Sequence, residues 1–225
     1  ERTKAILICN PNNPTGILTD REFLFRLLRV CREMGIFLVV DECFQDFIRE
    51  PGQYSLKAQL PRYHNLFLLK AFTKRYAMAG VRLGYGITEN EELLEKMTQA
   101  TQPWNISIPA QAAGIAALGE VEYVERARKL IFAESEYLSE ELYKLGMTVF
   151  PSQANYLFFK GPEDPFEICV GQNVLIRDCS NYPGLSKGFY RVAVRTHEEN
   201  ERLIQAIHDG LMEARKKTQE EEGEE

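Results

Sequence analysis

Three observations predict an α/β fold. Short apolar runs alternate with amphipathic helical stretches through the first half of the chain. Those runs are continuously apolar, as strands of a parallel sheet covered on both faces must be. After Gly146 the order changes to several short strands and one closing helix, the pattern of a small α+β domain.

Ala5–Cys9 opens the series as a buried strand and leads into the loop Asn10-Pro11-Asn12-Asn13-Pro14-Thr15-Gly16. Thr19-Asp20-Arg21-Glu22 has the form of a capping box. The helix it opens carries Phe23, Leu24, Leu27, Leu28, Cys31 and Met34 on one face and stops at Gly35. Ile36–Val40 is the next strand and ends at Asp41. Leu66–Leu69 and Val81–Tyr85 follow as strands, and a helix spans about Glu89 to Gln102.

Residues 103–109 break the helical pattern. A small-residue helix (Ala110–Leu118) and a long one (about Glu120 to Leu145) come next. Strands are then expected at Thr148–Phe150, Asn155–Phe159, Val174–Arg177 and Phe189–Val194, with a last helix from His197 to Lys216. The expected organisation is a larger domain over 1–118, a joining helix over 119–145, a small domain over 146–215 and a charged tail over 216–225.

Composition narrows the function. A net charge of −6 argues against nonspecific nucleic-acid binding, which relies on a basic face. No run approaches the roughly 18 apolar residues of a membrane helix. Five cysteines stand singly at 9, 31, 43, 169 and 179, with no CxxC pair, so neither zinc nor a disulfide framework is indicated. They are expected to be buried free thiols in a reducing cytosol. The chain enters a core strand almost at once and lacks an initiator Met, so it is expected to be part of a longer protein.

The chemistry lies in a few residues. Asp41 ends an apolar strand, at the sheet edge where ligands of open α/β folds gather. Asn13 lies in the loop after the preceding strand. Lys74 sits in Lys70-Ala71-Phe72-Thr73-Lys74-Arg75-Tyr76, with Thr73 beside it and Arg82 eight residues on. Arg191 interrupts the apolar strand Phe189–Val194, and Arg177 ends another. Each has an ordinary alternative: a helix cap for Asp41, a turn for Asn13, a solvated lysine for Lys74, ion pairs for the arginines. Together, an amine, a carboxylate and an amide match the needs of pyridoxal phosphate (PLP): a Schiff base, a partner for the pyridine nitrogen and a partner for the ring hydroxyl.

Asn10 to Gly16, Asp41-Glu42-Cys43-Phe44, Thr73-Lys74 with Arg82-Leu83-Gly84-Tyr85, and Tyr190-Arg191-Val192-Ala193 resemble the class I/II aminotransferases of PLP fold type I. The resemblance runs from residue 5 to about 212. It implies the carboxyl-terminal part of the large PLP-binding domain, with its mainly parallel sheet, followed by the small α+β domain. Lys74 would carry the cofactor and shuttle protons. Asp41 would meet the pyridine nitrogen, Asn13 the ring hydroxyl, and Thr73 and Arg82 the phosphate. Arg191, with Asn155 nearby, would clamp a substrate carboxylate, and Arg177 would take a substrate phosphate.

Within the family, the sequence is similar to both threonine-phosphate decarboxylases of cobalamin synthesis and histidinol-phosphate aminotransferases. Pro103-Trp104, the run Ile176 to Leu185, and Tyr190 to Arg195 lean toward the former. A cytoplasmic homodimer acting on an amino acid or phosphorylated amine is implied. A noncatalytic binding module with this fold is the other reading. Phe44 and Ala71 depart from the family pattern, where a tyrosine and a hydroxyl residue are usual. Family members also carry an upstream glycine-rich phosphate loop, a ring-stacking aromatic and a tyrosine lent across the dimer. These are outside the sequence, so this chain alone is expected to bind cofactor poorly and to be inactive.

Overall fold

The computed structural model describes residues 3–162 and 165–223. It forms two compact units: Glu1–Asn13 with Ile17–Arg128, and Pro14–Gly16 with Lys129–Glu225.

In the first unit, β1 (Ala5–Cys9), β2 (Phe37–Asp41) and β3 (Leu66–Ala71) run parallel, and β4 (Gly84–Ile87) joins β3 antiparallel. The order along the sheet is β1-β2-β3-β4. Leu38, Val40, Leu66 and Leu68 are fully buried and pack with Leu24, Leu28 and Cys31 of α1 (Arg21–Glu33). Each such leucine contributes roughly 1.5–3 kcal/mol by leaving water. The apolar stripe of α1 is narrower than its sequence implies. Leu24, Leu28 and Cys31, spaced four and three residues apart, face the sheet, whereas Phe23 and Met34 lie on the flanks, exposed. Asp20 caps the helix by accepting from Phe23 N at 2.9 Å, the role the capping box assigns to Thr19. Gly35 ends it at φ +67°, which glycine adopts without strain.

Short 3₁₀ turns and the four-residue helix α2 (Pro51–Tyr54) connect β2 to β3. The helix α3 (Phe72–Arg75) follows β3 directly. Then come α4 (Glu91–Ala100), α5 (Ile108–Leu118) and α6 (Val121–Lys144). Val121–Arg128 of α6 group with the first unit, and the helix from Lys129 onward with the second.

The second unit is an antiparallel sheet of β5 (Thr148–Phe150), β6 (Tyr156–Lys160), β7 (Arg177–Asp178) and β8 (Phe189–Ala193), ordered β5-β6-β8-β7. Leu157, Phe159, Tyr190 and Val192 pack with Leu138 and Leu142 of α6 and Leu203 and Ile207 of α8 (His197–Gly223). Phe150, Phe158 and Phe189 meet ring to ring, Phe158 and Phe189 stacking at 5.6 Å. The helix α7 (Pro165–Gly171) lies between β6 and β7 in sequence. Three expectations change. β1, expected to be buried, has Ala5 and Leu7 exposed and Ile6, Ile8 and Cys9 half-buried. The run Val174–Ile176 is not strand, and β7 is confined to two residues. The last helix continues past Lys216 to Gly223, where a tail was expected, because its Lys- and Glu-rich sequence has good helix propensity. Residues 224 and 225 of that tail lie outside the described residues.

Candidate functional site

The register of the parallel strands sets the first cluster. Asp41 ends β2, opposite Cys9 of β1 and Leu69 of β3. Its carboxylate accepts from Cys43 N at 3.0 Å and from the Cys9 thiol at 3.7 Å. Asn10 N donates to the Asp41 carbonyl at 2.9 Å, which starts the loop bearing Asn13 at the same strand end. Asn13 is half-buried in that loop.

Lys74 lies on α3, immediately beyond the end of β3. Its Nζ is exposed, donates to Thr73 Oγ1 at 3.1 Å and stands 5.6 Å from the centre of the Phe44 ring. The helix is fastened on either side. Phe72 is buried and stacks on Tyr76 at 5.3 Å, while Arg75 pairs with Asp46. Asp46 is five residues beyond Asp41, so this ion pair joins the segments that carry the carboxylate and the amine. Cys43 feels both charges through its thiol. Burial pushes its thiol up to about 12, the hydrogen bond and charge of Asp41 add to the rise, and the Lys74 ammonium opposes it.

Arg82 departs from the strand expected around it. It follows a 3₁₀ turn over Ala79–Val81, adopts a left-handed conformation at φ 57°, and is exposed, donating to the Ala79 carbonyl at 3.0 Å. The strand begins only at Gly84, because the chain must first reverse to run antiparallel to β3. Thr73 is held against Lys74, whereas Arg82 contacts its own turn.

The second cluster lies on the small sheet. Arg177 and Arg191 are direct cross-strand partners on β7 and β8. Like charges placed opposite one another destabilise a strand pair unless an anion or another partner screens them. The Arg191 guanidinium also lies 5.1 Å from the Tyr156 ring centre, and Arg177 donates to Asn181 Oδ1 at 3.3 Å. Both cations oppose the rise that burial imposes on the Cys179 thiol, so their fields converge there. A cavity of about 560 Å³ has these two arginines, Asn181, Arg195 and Asn200 in its lining, together with the carboxylates of Asp178 and Glu199. Asn155 precedes β6 and accepts from Val194 N at 2.9 Å through its carbonyl, while its side-chain oxygen is buried without a hydrogen bond.

Several neighbours were not singled out from the sequence. Glu42, fully buried, accepts from Ser55 Oγ at 2.8 Å and lies 2.9 Å from Lys70 Nζ, which approaches off the hydrogen-bond axis. Glu42 directly follows Asp41, the one signal that would have found it. Asn181 sits four residues beyond Arg177, within a run valued only for its likeness to other proteins. Cys9 and Cys43 were expected to be buried but are half-buried; Cys31, Cys169 and Cys179 are buried, and all five are free.

No described group of His, Cys, Asp and Glu is arranged to hold a metal ion, and no described helix is long and apolar enough to cross a membrane.

Comparison with known proteins identifies the family. The threonine-phosphate decarboxylase of Salmonella typhimurium is 33% identical over 211 residues, covering 92% of this chain and 57% of its own length. The histidinol-phosphate aminotransferase of Desulfitobacterium hafniense is 40% identical over 212 residues, covering 92% and 56%. Among solved structures, the histidinol-phosphate aminotransferase from Clostridium acetobutylicum aligns with a TM-score of 0.85 at 32% identity, over 91% of this chain and 63% of that one. L-threonine-O-3-phosphate decarboxylase from Porphyromonas gingivalis shares the fold, with a TM-score of 0.80 at 23% identity, over 93% and 65%. The chain thus spans a little over half the length of the curated relatives it matches. The model of aminotransferase class I and II matches residues 1–207, and the chain belongs to that family, with the type I fold of PLP-dependent enzymes.

Proposed function

We propose that this chain carries the cofactor carboxylate, the cofactor lysine and the substrate arginines of a PLP-dependent enzyme, of the threonine-phosphate decarboxylase type. The residues present fit PLP, the family's cofactor. The half-buried carboxylate of Asp41 and the exposed amine of Lys74 both act on the Cys43 thiol, so an anion and an amine stand near one another at the strand ends. Asp41 would hold the ring nitrogen, Asn13 the ring hydroxyl, Thr73 and Arg82 the phosphate, and Lys74 the aldehyde carbon. Bound there, PLP supplies an electron sink for charge left on a substrate α carbon.

The chain's own groups do the rest. Arg191 binds the substrate carboxylate and Arg177 its phosphate, each by charge-assisted hydrogen bonds. Lys74 holds and moves the proton at the α carbon. Asn155, whose side-chain oxygen is buried without a hydrogen bond, would offer that oxygen to a substrate donor. Phe44, in a position where a tyrosine is usual, presents a ring face to the Lys74 ammonium and no hydroxyl. A cytoplasmic homodimer serving cobalamin synthesis belongs to the same reading. The free state of all five cysteines fits a reducing compartment.

The observation that carries the choice of substrate is the Arg177–Arg191 pairing. Two cations face to face suit a molecule with two anionic groups. Threonine phosphate offers a carboxylate and a phosphate; histidinol phosphate offers a phosphate alone. The histidinol-phosphate aminotransferase reading is the alternative, favoured by the 40% identity to the Desulfitobacterium enzyme. Product analysis separates the two. Carbon dioxide and an amine from threonine phosphate support the decarboxylase. An oxo product from histidinol phosphate, with an amino-group acceptor present, supports the aminotransferase. Turnover of neither, with no cofactor on Lys74, leaves a noncatalytic module.

A further inference from the structure

Asp41 is flanked by two cysteines that the proposed chemistry does not use. Cys9 is its register partner across the sheet, and the Cys9 thiol donates to Asp41 Oδ2 at 3.7 Å. Cys43 lies two residues on. Its backbone N–H donates to Oδ1 at 3.0 Å, and the adjoining carboxylate adds to the rise that burial imposes on its thiol. Both oxygens are therefore engaged, one from the neighbouring strand and one from the turn that follows.

The thiols are suited to this task. Burial raises Cys9, and the charge and hydrogen bond of Asp41 add to the rise. Cys43 is raised to about 12 by burial first, then by Asp41, with a small contribution from Cys9 and opposition from Lys74. Both cysteines remain protonated donors through neutral pH, and a protonated thiol is a poor nucleophile. An S–H is also a weak donor, so it can orient a carboxylate without competing strongly with a cationic N–H.

We propose that Cys9 and Cys43 are positioning residues that fix the Asp41 carboxylate for its role toward the cofactor's ring nitrogen. The proposal rests on the PLP reading above. Both cysteines act through Asp41 and touch no reacting atom.

Two measurements test this. The first needs no cofactor: iodoacetamide alkylation at pH 9, with peptide mapping, on the wild type and D41N. Losing the carboxylate charge should speed alkylation of Cys43 about tenfold, because each unit of thiol pKa changes the thiolate fraction about tenfold. Unchanged reactivity of Cys43 in D41N overturns the proposed contact. The second is equilibrium uptake of pyridoxal 5′-phosphate by the full-length protein and its double variants C9A/C43A and C9S/C43S. Alanines should weaken uptake about tenfold, the worth of one or two hydrogen bonds. Serines, which keep a donor, should recover most of it at a similar melting temperature. Uptake by the alanine variant equal to wild type overturns the positioning role, as does equal loss in both variants. Absence of cofactor on Lys74 in the wild type defeats the PLP reading instead, and the alkylation result still decides the contact.

Discussion

Replacing Lys70 by methionine should destabilise the first unit far more than a surface lysine would. The Glu42 side chain is 0% exposed and that of Lys70 14%, with 2.9 Å between the charges. Methionine keeps much of the stem's volume and removes the ammonium. Glu42 then keeps its hydrogen bond from Ser55 Oγ at 2.8 Å but has lost its counter-charge. Orphaning one member of a buried pair costs about 3–5 kcal/mol. Lys70 retains some solvent contact and water can follow, which places the cost near about 3 kcal/mol. With a urea m-value of about 2 kcal/mol/M, the midpoint should fall by about 1.5 M. The companion change E42Q removes the stranded charge, so E42Q/K70M should be markedly more stable than K70M. Urea unfolding of the four proteins gives the coupling directly. A K70M midpoint within about 0.3 M of wild type, or strict additivity in the double variant, would refute the reasoning. The pair also bears on function, since Glu42 adjoins Asp41 and Lys70 is four residues before Lys74.

Other perturbations act on the same fold. A Cβ at Gly86 would lie 2.1 Å from Phe67 Cζ, so G86A must displace a buried ring and should cost about 1–3 kcal/mol by thermal or urea unfolding. Glu199 is held down to about 2 by hydrogen bonds from Arg195 and then Thr196. That contribution to stability is complete above the carboxyl's ordinary 4.5 and fades as pH falls toward 2, and E199Q should remove this acid slope. The Glu199 side chain is 44% exposed, so solvent screening limits the effect to under about 1 kcal/mol. R177A should raise KM for a phosphorylated substrate more than it lowers kcat, because a phosphate contact is made in ground and transition states alike.

The parallel strands were legible as continuous apolar runs, Ala5–Cys9 and Phe37–Val40, but the burial expected of them was not met throughout: β1 has no buried residue and β2 buries alternate ones. Asp41 followed from them, as the first charge after a core strand. The turn at Arg82 was not legible. Val81-Arg82-Leu83-Gly84-Tyr85 has the composition of a strand, and the left-handed residue inside it arises from the reversal into β4 rather than from any local preference. Thr19 and Asp20 are both good caps, and the pattern could not choose between them. Val174–Ile176 is apolar enough for a strand, but strand pairing requires a partner in register, and β8 supplies one only for Arg177 and Asp178. The opposition of Arg177 to Arg191 depends on that same register, so neither arginine alone revealed it. Cys43 looked like one of five scattered thiols; it adjoins Asp41 in sequence, but its closeness to Lys74 appears only when α3 is set against the turn after β2.

Borohydride reduction of the full-length protein after saturation with pyridoxal 5′-phosphate, followed by peptide mapping, is the most direct test that Lys74 and Asp41 form a cofactor site. Lys74 should carry the phosphopyridoxyl label in preference to every other lysine, including the nearby Lys70, and D41N should reduce its yield. Label spread evenly over exposed lysines, or absent from Lys74, would contradict it.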